Sequence, residues 1–197
     1  MRRPLLLAHR GFSGQYPENS PLAFQMAVEK TCVDGIESDV HISKDGKLIV
    51  FHDASVERTS NGTGFIRDMT YDELLELDIG AWKSPAFAGQ HIWTLGQLLD
   101  FCKETKLLLN LELKNYEVFY EGLEQRVIDE VCARKMQEQV FVSSFNHTPC
   151  SASRSCARRS RPACCMTSPI WIWSTMSSAP MPTTCTPVTC CCSTSRS

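Results

Sequence analysis

Four apolar runs in this chain end in charged or imidazole groups, and that pattern restricts the fold more than any other feature. Leu5–Ala8 leads into His9-Arg10-Gly11, and Ile36 adjoins Glu37-Ser38-Asp39. Leu48–Phe51 leads into His52-Asp53, and Leu107–Leu111 leads into Glu112-Leu113-Lys114. A short buried strand that ends in polar groups carries that chemistry to one rim of a sheet. Two histidines, three carboxylates and two cations arriving this way suggest a metal-assisted phosphate site.

Helical segments fall between the strands. Ser20 suits an N-cap and Pro21 the first helical position. Leu22, Met26 and residues 28–32 give that helix a rough apolar face. Gly35–Val40 reads as the second strand, Lys44-Asp45-Gly46-Lys47 as a turn and Leu48–Phe51 as the third strand. Thr70 with Glu73, and Thr94 with Gln97, form capping boxes that open two helices, the second running through Cys102. Leu107–Leu113 is the fourth strand. Glu117 to about Arg134 is a helix with Phe119, Leu123, Val127 and Val131 on one stripe, and Val140–Ser144 is the fifth strand.

Strand and helix in alternation predict a parallel sheet with right-handed crossovers. An open doubly wound sheet and a (β/α)₈ barrel both satisfy this. No G-x-G-x-x-G follows any strand, so a dinucleotide fold loses its main support. Reactive groups at the ends of successive strands favour the barrel. A barrel of this type takes about 250 residues. Five strands are legible, so the α/β barrel is expected to be incomplete.

The chain joins two compositions near His147. Residues 1–147 carry 15 Lys+Arg against 22 Asp+Glu, whereas residues 148–197 carry five Arg and no acid. That final stretch also lacks Gly, Leu, Lys, Phe and Tyr, yet holds eight of the 11 cysteines. The joint absence of such common residues is foreign to a natural domain. A Cys-rich disulfide module lacks a regular cysteine framework, and a disordered Ser/Pro tail is seldom so rich in Cys and Trp. The stretch reads best as translation out of frame after about residue 147, because a one-base shift of Ser174–Pro187 can spell a plausible helix running into a strand.

Cys32, Cys102 and Cys132 lack metal-like spacing, which suits a reducing, cytoplasmic protein. No 18-residue apolar span exists, so no membrane helix is expected. Nucleic acid is not an expected partner, and a small molecule is.

Glu37 and Asp39 are two apart on a strand and share a face. Two carboxylates so placed repel unless a cation sits between them. Glu112 is a possible third oxygen ligand, and an all-oxygen set suits Mg²⁺ or Ca²⁺. His9 and His52 titrate near neutrality, so one can accept a proton while the other donates. Arg10 can clamp a phosphate through two hydrogen bonds, and Lys114, two residues from Glu112, acts as a point charge. Ion pairing without any ligand also accounts for these acids and bases. Asp53 is placed either to orient His52 or to make a turn, and residues 58–62 form either a substrate-side loop or a surface turn. His41, His91 and His147 have no evident partners.

The strings HRG (9–11), PENS (17–20), AF (23–24), GIESDV (35–40), SKDGKLIVFHD (43–53), RT (58–59) and LELK (111–114) together resemble the glycerophosphodiester phosphodiesterase family. The order and spacing match from residue 5 to about residue 147. The resemblance implies a (β/α)₈ barrel with an inserted segment after the third strand, here Ala54 to about Trp93. It implies hydrolysis of a glycerophosphodiester to sn-glycerol 3-phosphate and an alcohol, with a divalent metal. By similarity Glu37, Asp39 and Glu112 are metal ligands, His9 and His52 the acid and base, and Arg10 and Lys114 the phosphate holders. Attack by water, and attack by a glycerol hydroxyl to give a cyclic phosphate, are both compatible with these residues. Trp93 departs from the family, where Pro is usual before Thr94-Leu95, and the last three barrel strands are not legible. An inactive, frame-disrupted family member and a related phospholipase-type phosphodiesterase are the alternative readings.

Overall fold

The computed structural model describes residues 4–144. The out-of-frame reading of 148–197, and His147, lie outside the described residues. Five strands form one sheet: β1 (Leu7–His9), β2 (Gly35–Ile42), β3 (Leu48–Val50), β4 (Leu108–Leu113) and β5 (Val140–Ser144). The order β1-β2-β4-β5 is parallel throughout, the start of a β/α barrel that does not close among the described residues.

β3 corrects the expectation of a parallel third strand, because it pairs antiparallel with the far end of β2. The reason is the length of the connection. Residues 43–47 make a tight turn, closed by Ser43 N–H to the Lys47 carbonyl at 2.9 Å and by the Ser43 hydroxyl on Asp45 Oδ1 at 2.6 Å. A parallel partner needs a crossover of a dozen or more residues.

Alternation along β2 separates two chemistries. Ile36, Val40 and Ile42 point to the helix side, where they pack with Leu109, Leu111 and Leu113 of β4 in the main core. Glu37, Asp39 and His41 occupy the opposite face. Three helices cover the apolar side: α1 (Pro21–Lys30), α3 (Leu95–Thr105) and α4 (Leu123–Ala133), with the short α2 (Tyr71–Leu75) outside it.

The caps read from sequence are present. Ser20 Oγ accepts from Ala23 N–H, and the Thr70 and Thr94 capping boxes are both complete. α3 buries Leu95, Leu98, Leu99 and Cys102. α1 buries Ala23, Phe24 and Ala27, not the larger face expected, and Val28 is exposed. The β1–α1 loop approaches α1 closely at Ala23: a Cβ on Gly11 would lie 2.8 Å from the Ala23 carbonyl carbon. α4 starts at Leu123, later than expected, behind Gly122 in the left-handed region. Phe119 therefore lies outside the helix and is 76% exposed, while Leu123, Val127 and Val131 are buried as the stripe requires.

The inserted segment after β3 has its own small core. Val56, Ile66, Leu74, Leu77, Ile79 and Ile92 pack on Ile49 and Phe51. The segment thereby fixes the chain leaving β3, which bears His52.

Candidate active site

The loop from β1 to α1 folds back on itself. Arg10 (φ +56) and Asn19 (φ +53) both hold left-handed backbone, and Asn19 N–H donates to the Arg10 carbonyl at 3.0 Å. Non-glycine residues held in this region are strained and concentrate at functional sites. The fold-back places His9, Arg10, Glu18 and Asn19 over the ends of β1 and β2.

The pairing register then assembles the acids. His9 is the cross-strand partner of Glu37, Glu37 of Asn110, and Asp39 of Glu112. One oxygen from each of Glu37, Asp39 and Glu112 lies within 4.8 Å of the others. His9 Nε2 is 3.8 Å from Glu37 Oε2. The Arg10 amide donates to the same Glu37 oxygen at 3.2 Å, and Arg10 Nε is 3.6 Å from Asp39 Oδ2. Lys114 Nζ donates to Glu112 Oε1 at 2.6 Å and lies 3.0 Å from Asp39 Oδ1. The buried Asp39 Oδ1 thus has the Lys114 ammonium as its charge partner. The structure thus brings six of the seven residues singled out for the site into direct contact, and His52 stands near enough to act electrostatically on His9 and Glu112.

Electrostatics mark the cluster as under-compensated. Burial pushes the Glu37 carboxyl well above the usual carboxylate range, and Asp39 and Glu112 push it further. Burial also raises Glu112, against the pull of Lys114. Burial opposes the charge on Lys114, yet Asp39 and Glu112 together hold its ammonium above its ordinary value. His9 is lowered by burial and by neighbouring Arg10, and it also feels His52. An additional cation is what three crowded carboxylates of this kind accommodate.

His52 leaves β3 beside Asp53, whose Oδ1 is 2.5 Å from His52 Nδ1. Arg58 donates through Nε to Asp53 Oδ2 at 2.5 Å and through Nη2 to Glu18 Oε1 at 2.7 Å. Arg10 Nη1 donates to that same Glu18 oxygen at 3.0 Å. Burial would raise Asp53, but the bonds from Arg58 and His52 outweigh it and hold the carboxyl down at about 2. Asp53 therefore orients His52, and Arg58 acts in the same network.

Sequence reasoning assigned no role to Glu18, Asn19, His41 or Asn110. Glu18 joins Arg10 to Arg58. Asn19 Nδ2 donates to Asp39 Oδ2 at 2.9 Å and its Oδ1 accepts from Ser38 at 2.8 Å, which fixes that carboxylate. Asn110 is buried beside Glu37, and its Oδ1 has no hydrogen-bond partner. The string PENS already contained the signal for Glu18 and Asn19. His41 is buried, with Nδ1 3.0 Å from the Tyr120 hydroxyl and Nε2 3.0 Å from the His52 carbonyl. Burial lowers His41 to about 4 and raises Tyr120 to about 12, so both are neutral near pH 7. His91 is exposed.

A barrel-type sheet whose strand ends gather acids, imidazoles and cations at one rim defines an α/β fold of the kind that hosts phosphate-ester chemistry. The sequence profile of the glycerophosphoryl diester phosphodiesterase family matches residues 9–173, and the chain belongs to that family. It is 42% identical over 145 residues to a glycerophosphodiester phosphodiesterase of Caldanaerobacter subterraneus, covering 74% of this chain and 59% of that protein. A Bacillus subtilis glycerophosphodiester phosphodiesterase is 35% identical over 159 residues, covering 73% and 53%. Among solved structures, a glycerophosphodiester phosphodiesterase from Agrobacterium tumefaciens superposes with a TM-score of 0.71 at 31% identity, covering 79% of this chain and 64% of that one. A phosphodiesterase from Oleispira antarctica, solved with the product sn-glycerol-3-phosphate, gives 0.65 at 32% identity, covering 77% and 62%. The chain spans less than two thirds of the length of each of these proteins.

Proposed function

We propose that the rim hydrolyses glycerophosphodiesters to sn-glycerol 3-phosphate and an alcohol, with a divalent cation held by Glu37, Asp39 and Glu112. The observation that carries this reading is the convergence of those three carboxylates within 4.8 Å. The donor set fits a hard cation, Mg²⁺ or Ca²⁺: it is all oxygen, and Lys114 and Arg10 offset only part of its three carboxylate charges. When bound, the ion polarises the phosphoryl oxygens and offsets charge as the ester bond breaks.

The chain's own groups supply the rest. Arg10 and Lys114 hold the phosphate, Arg10 by its guanidinium and Lys114 by its ammonium. Of His9 and His52, one accepts a proton from the attacking oxygen and the other returns one to the departing alcohol oxygen. Asp53 holds His52 at Nδ1, which leaves Nε2 as the nitrogen that exchanges protons. Such positioned acids and bases contribute about 10²–10⁴-fold each.

A glycerophosphodiester is a phospholipid stripped of its acyl chains, which places the activity in lipid metabolism. Residues 1–147 hold only three cysteines, in no metal-like spacing, which supports a reducing compartment such as the cytoplasm. No helix of the described residues is long and apolar enough to cross a membrane. The barrel portion 1–147, with 54–93 inserted and an out-of-frame stretch after it, remains our reading of the domain plan, and sequencing the encoding DNA around the codon of His147 tests it.

The test of function is turnover of glycerophosphocholine by the 197-residue chain with Ca²⁺, with Mg²⁺ and with EDTA. Expected results are release of sn-glycerol 3-phosphate, its loss in EDTA, and loss of most activity in Glu37→Ala and His52→Ala. Absence of turnover with either cation, or undiminished turnover in both variants, contradicts the proposal.

A further inference from the structure

We infer that His41 and Tyr120 form a positioning pair that holds the backbone of His52, and through it the His52 imidazole, against the acidic rim. This rests on the proposed role of His52 in the hydrolysis. Neither residue touches the carboxylate cluster through any hydrogen bond, so the pair is distinct from the groups described above.

The His52 carbonyl can only accept, so His41 Nε2 carries the hydrogen. In the neutral ring Nδ1 is then the acceptor, and the Tyr120 hydroxyl donates to it. The chain runs one way: Tyr120 O–H to His41 Nδ1, then His41 Nε2–H to the His52 carbonyl. Each polar atom in it is satisfied, and a second hydrogen bond that fixes a tautomer is how proteins set imidazole orientation.

Three parts of the fold meet here. His41 lies on β2, two residues beyond Asp39. His52 follows β3, the antiparallel strand that leaves the barrel. Tyr120 belongs to the loop after β4, the loop that bears Lys114. That loop is pinned by Tyr120 N–H donating to Asn115 Oδ1 at 2.7 Å and by Asn115 Nδ2 donating to Glu124 Oε1 at 2.7 Å. The His41 and Tyr120 rings also meet edge to face, with centroids 5.7 Å apart at 78°. β3 is not a barrel strand; its antiparallel pairing with β2 ends in the Phe51 N–H to Asp39 carbonyl bond at 3.2 Å, one residue short of His52. The His41 bond is the side-chain tie that continues from β2 to the His52 carbonyl, and Tyr120 carries that tie on to the far side of the rim.

The experiment uses the full chain labelled with ¹⁵N at histidine. Imidazole spectra are recorded for the wild type and for His41→Leu, His41→Gln and Tyr120→Phe. The wild type is expected to show His41 as the Nε2–H tautomer, and Tyr120→Phe to move the His41 Nδ1 signal toward that of a free acceptor. His41→Leu is expected to shift or broaden the His52 ring signals, whereas His41→Gln, which keeps a donor at the same reach, retains them. An Nδ1–H tautomer for His41, or His52 signals unchanged in His41→Leu, overturns the inference. If His41→Leu does not fold, Tyr120→Phe and His41→Gln decide it: an unmoved His41 Nδ1 signal in the former, or lost His52 signals in a folded His41→Gln, is equally fatal. Where the chain turns over glycerophosphocholine, His41→Leu should lower kcat about tenfold or more with little change in KM, since small misplacements cost up to about 10²-fold. Lack of turnover in the wild type speaks against the proposed function, while the spectra still decide the positioning pair.

Discussion

Asp39 and Glu112 lie directly opposite each other across the parallel pair β2–β4, on the face that also carries Glu37. Like charges so placed destabilise a sheet. Lys114, touching both, offsets part of the repulsion and leaves three carboxylates against one buried ammonium, with the Arg10 guanidinium 3.6 Å from Asp39. Under the proposed function, a site arranged this way trades stability for a place where a cation binds.

That arrangement predicts a stabilising variant. Glu37→Gln keeps an acceptor for the Arg10 amide and removes the charge that burial and both neighbours oppose. In EDTA the variant should melt above the wild type, by about 2–4 °C for each kcal/mol recovered. Added Ca²⁺ should reverse the order, because a ligand at about 100 times its Kd stabilises the wild type by roughly 2.7 kcal/mol. Paired thermal melts check both halves. A variant that melts lower than the wild type in EDTA contradicts the account of the cluster.

Asp53 predicts an acid-side dependence. Its carboxyl is held at about 2, against an ordinary 3.8, by Arg58 and His52. A folded pKa below the unfolded one means stability that is fully present above about pH 4 and lost as pH falls toward 2. Arg58 is partly exposed, so screening reduces the contribution to about 1 kcal/mol. The stability difference between wild type and Asp53→Asn, read from denaturant titrations, should shrink as pH falls from about 4 toward 2. A difference that is flat down to pH 2 removes the ion-pair argument.

Which features were legible follows from how far apart the interacting residues lie. Strand ends and caps are local, so the chemistry at residues 9–10, 37–39, 52 and 112–114 and the capping boxes at Thr70 and Thr94 could be read directly. The direction of β3 was also encoded, in a five-residue connection too short for a crossover, but the regular alternation masked it. The start of α4 was missed because Gly122 places the boundary through backbone geometry, after an apolar pattern that had already begun. The role of Asn19 depends on left-handed backbone at Arg10 and at Asn19 itself, which composition does not announce. His41 finds Tyr120 at a separation of 79 residues, beyond any periodicity argument.

Cys102 supplies a test of the core. Burial alone pushes its thiol up to about 12, on the α3 face packed against the sheet. Only the thiolate is an effective nucleophile. Peptide mapping after iodoacetamide at pH 8 should find Cys32, which is exposed, alkylated and Cys102 unmodified until denaturant is added. Native-state labelling of Cys102 at the rate of Cys32 means that α3 does not cover the sheet as described.

Gly11 is where backbone and packing both forbid a side chain. Its φ is +79°, and an added Cβ would fall 2.8–2.9 Å from the Ala23 carbonyl carbon, oxygen and Cβ. Gly11 follows Arg10, itself left-handed, so the two left-handed residues turn the chain off β1 and seat it on α1 through the Phe12 N–H to Ala23 carbonyl bond at 2.9 Å. Gly11→Ala should therefore cost about 1–3 kcal/mol, the range for overpacking and for left-handed strain. It should also disturb the rim, because His9 and Arg10 precede this contact directly. Two measurements separate the effects: the denaturation midpoint reports the strain, and the Ca²⁺-induced rise in melting temperature reports the rim. Loss of stability with an unchanged Ca²⁺ response would show that the seat on α1 serves only the fold, whereas loss of both places it among the supports of the site. A variant as stable as the wild type would mean that α1 yields at Ala23, contrary to the packing found there.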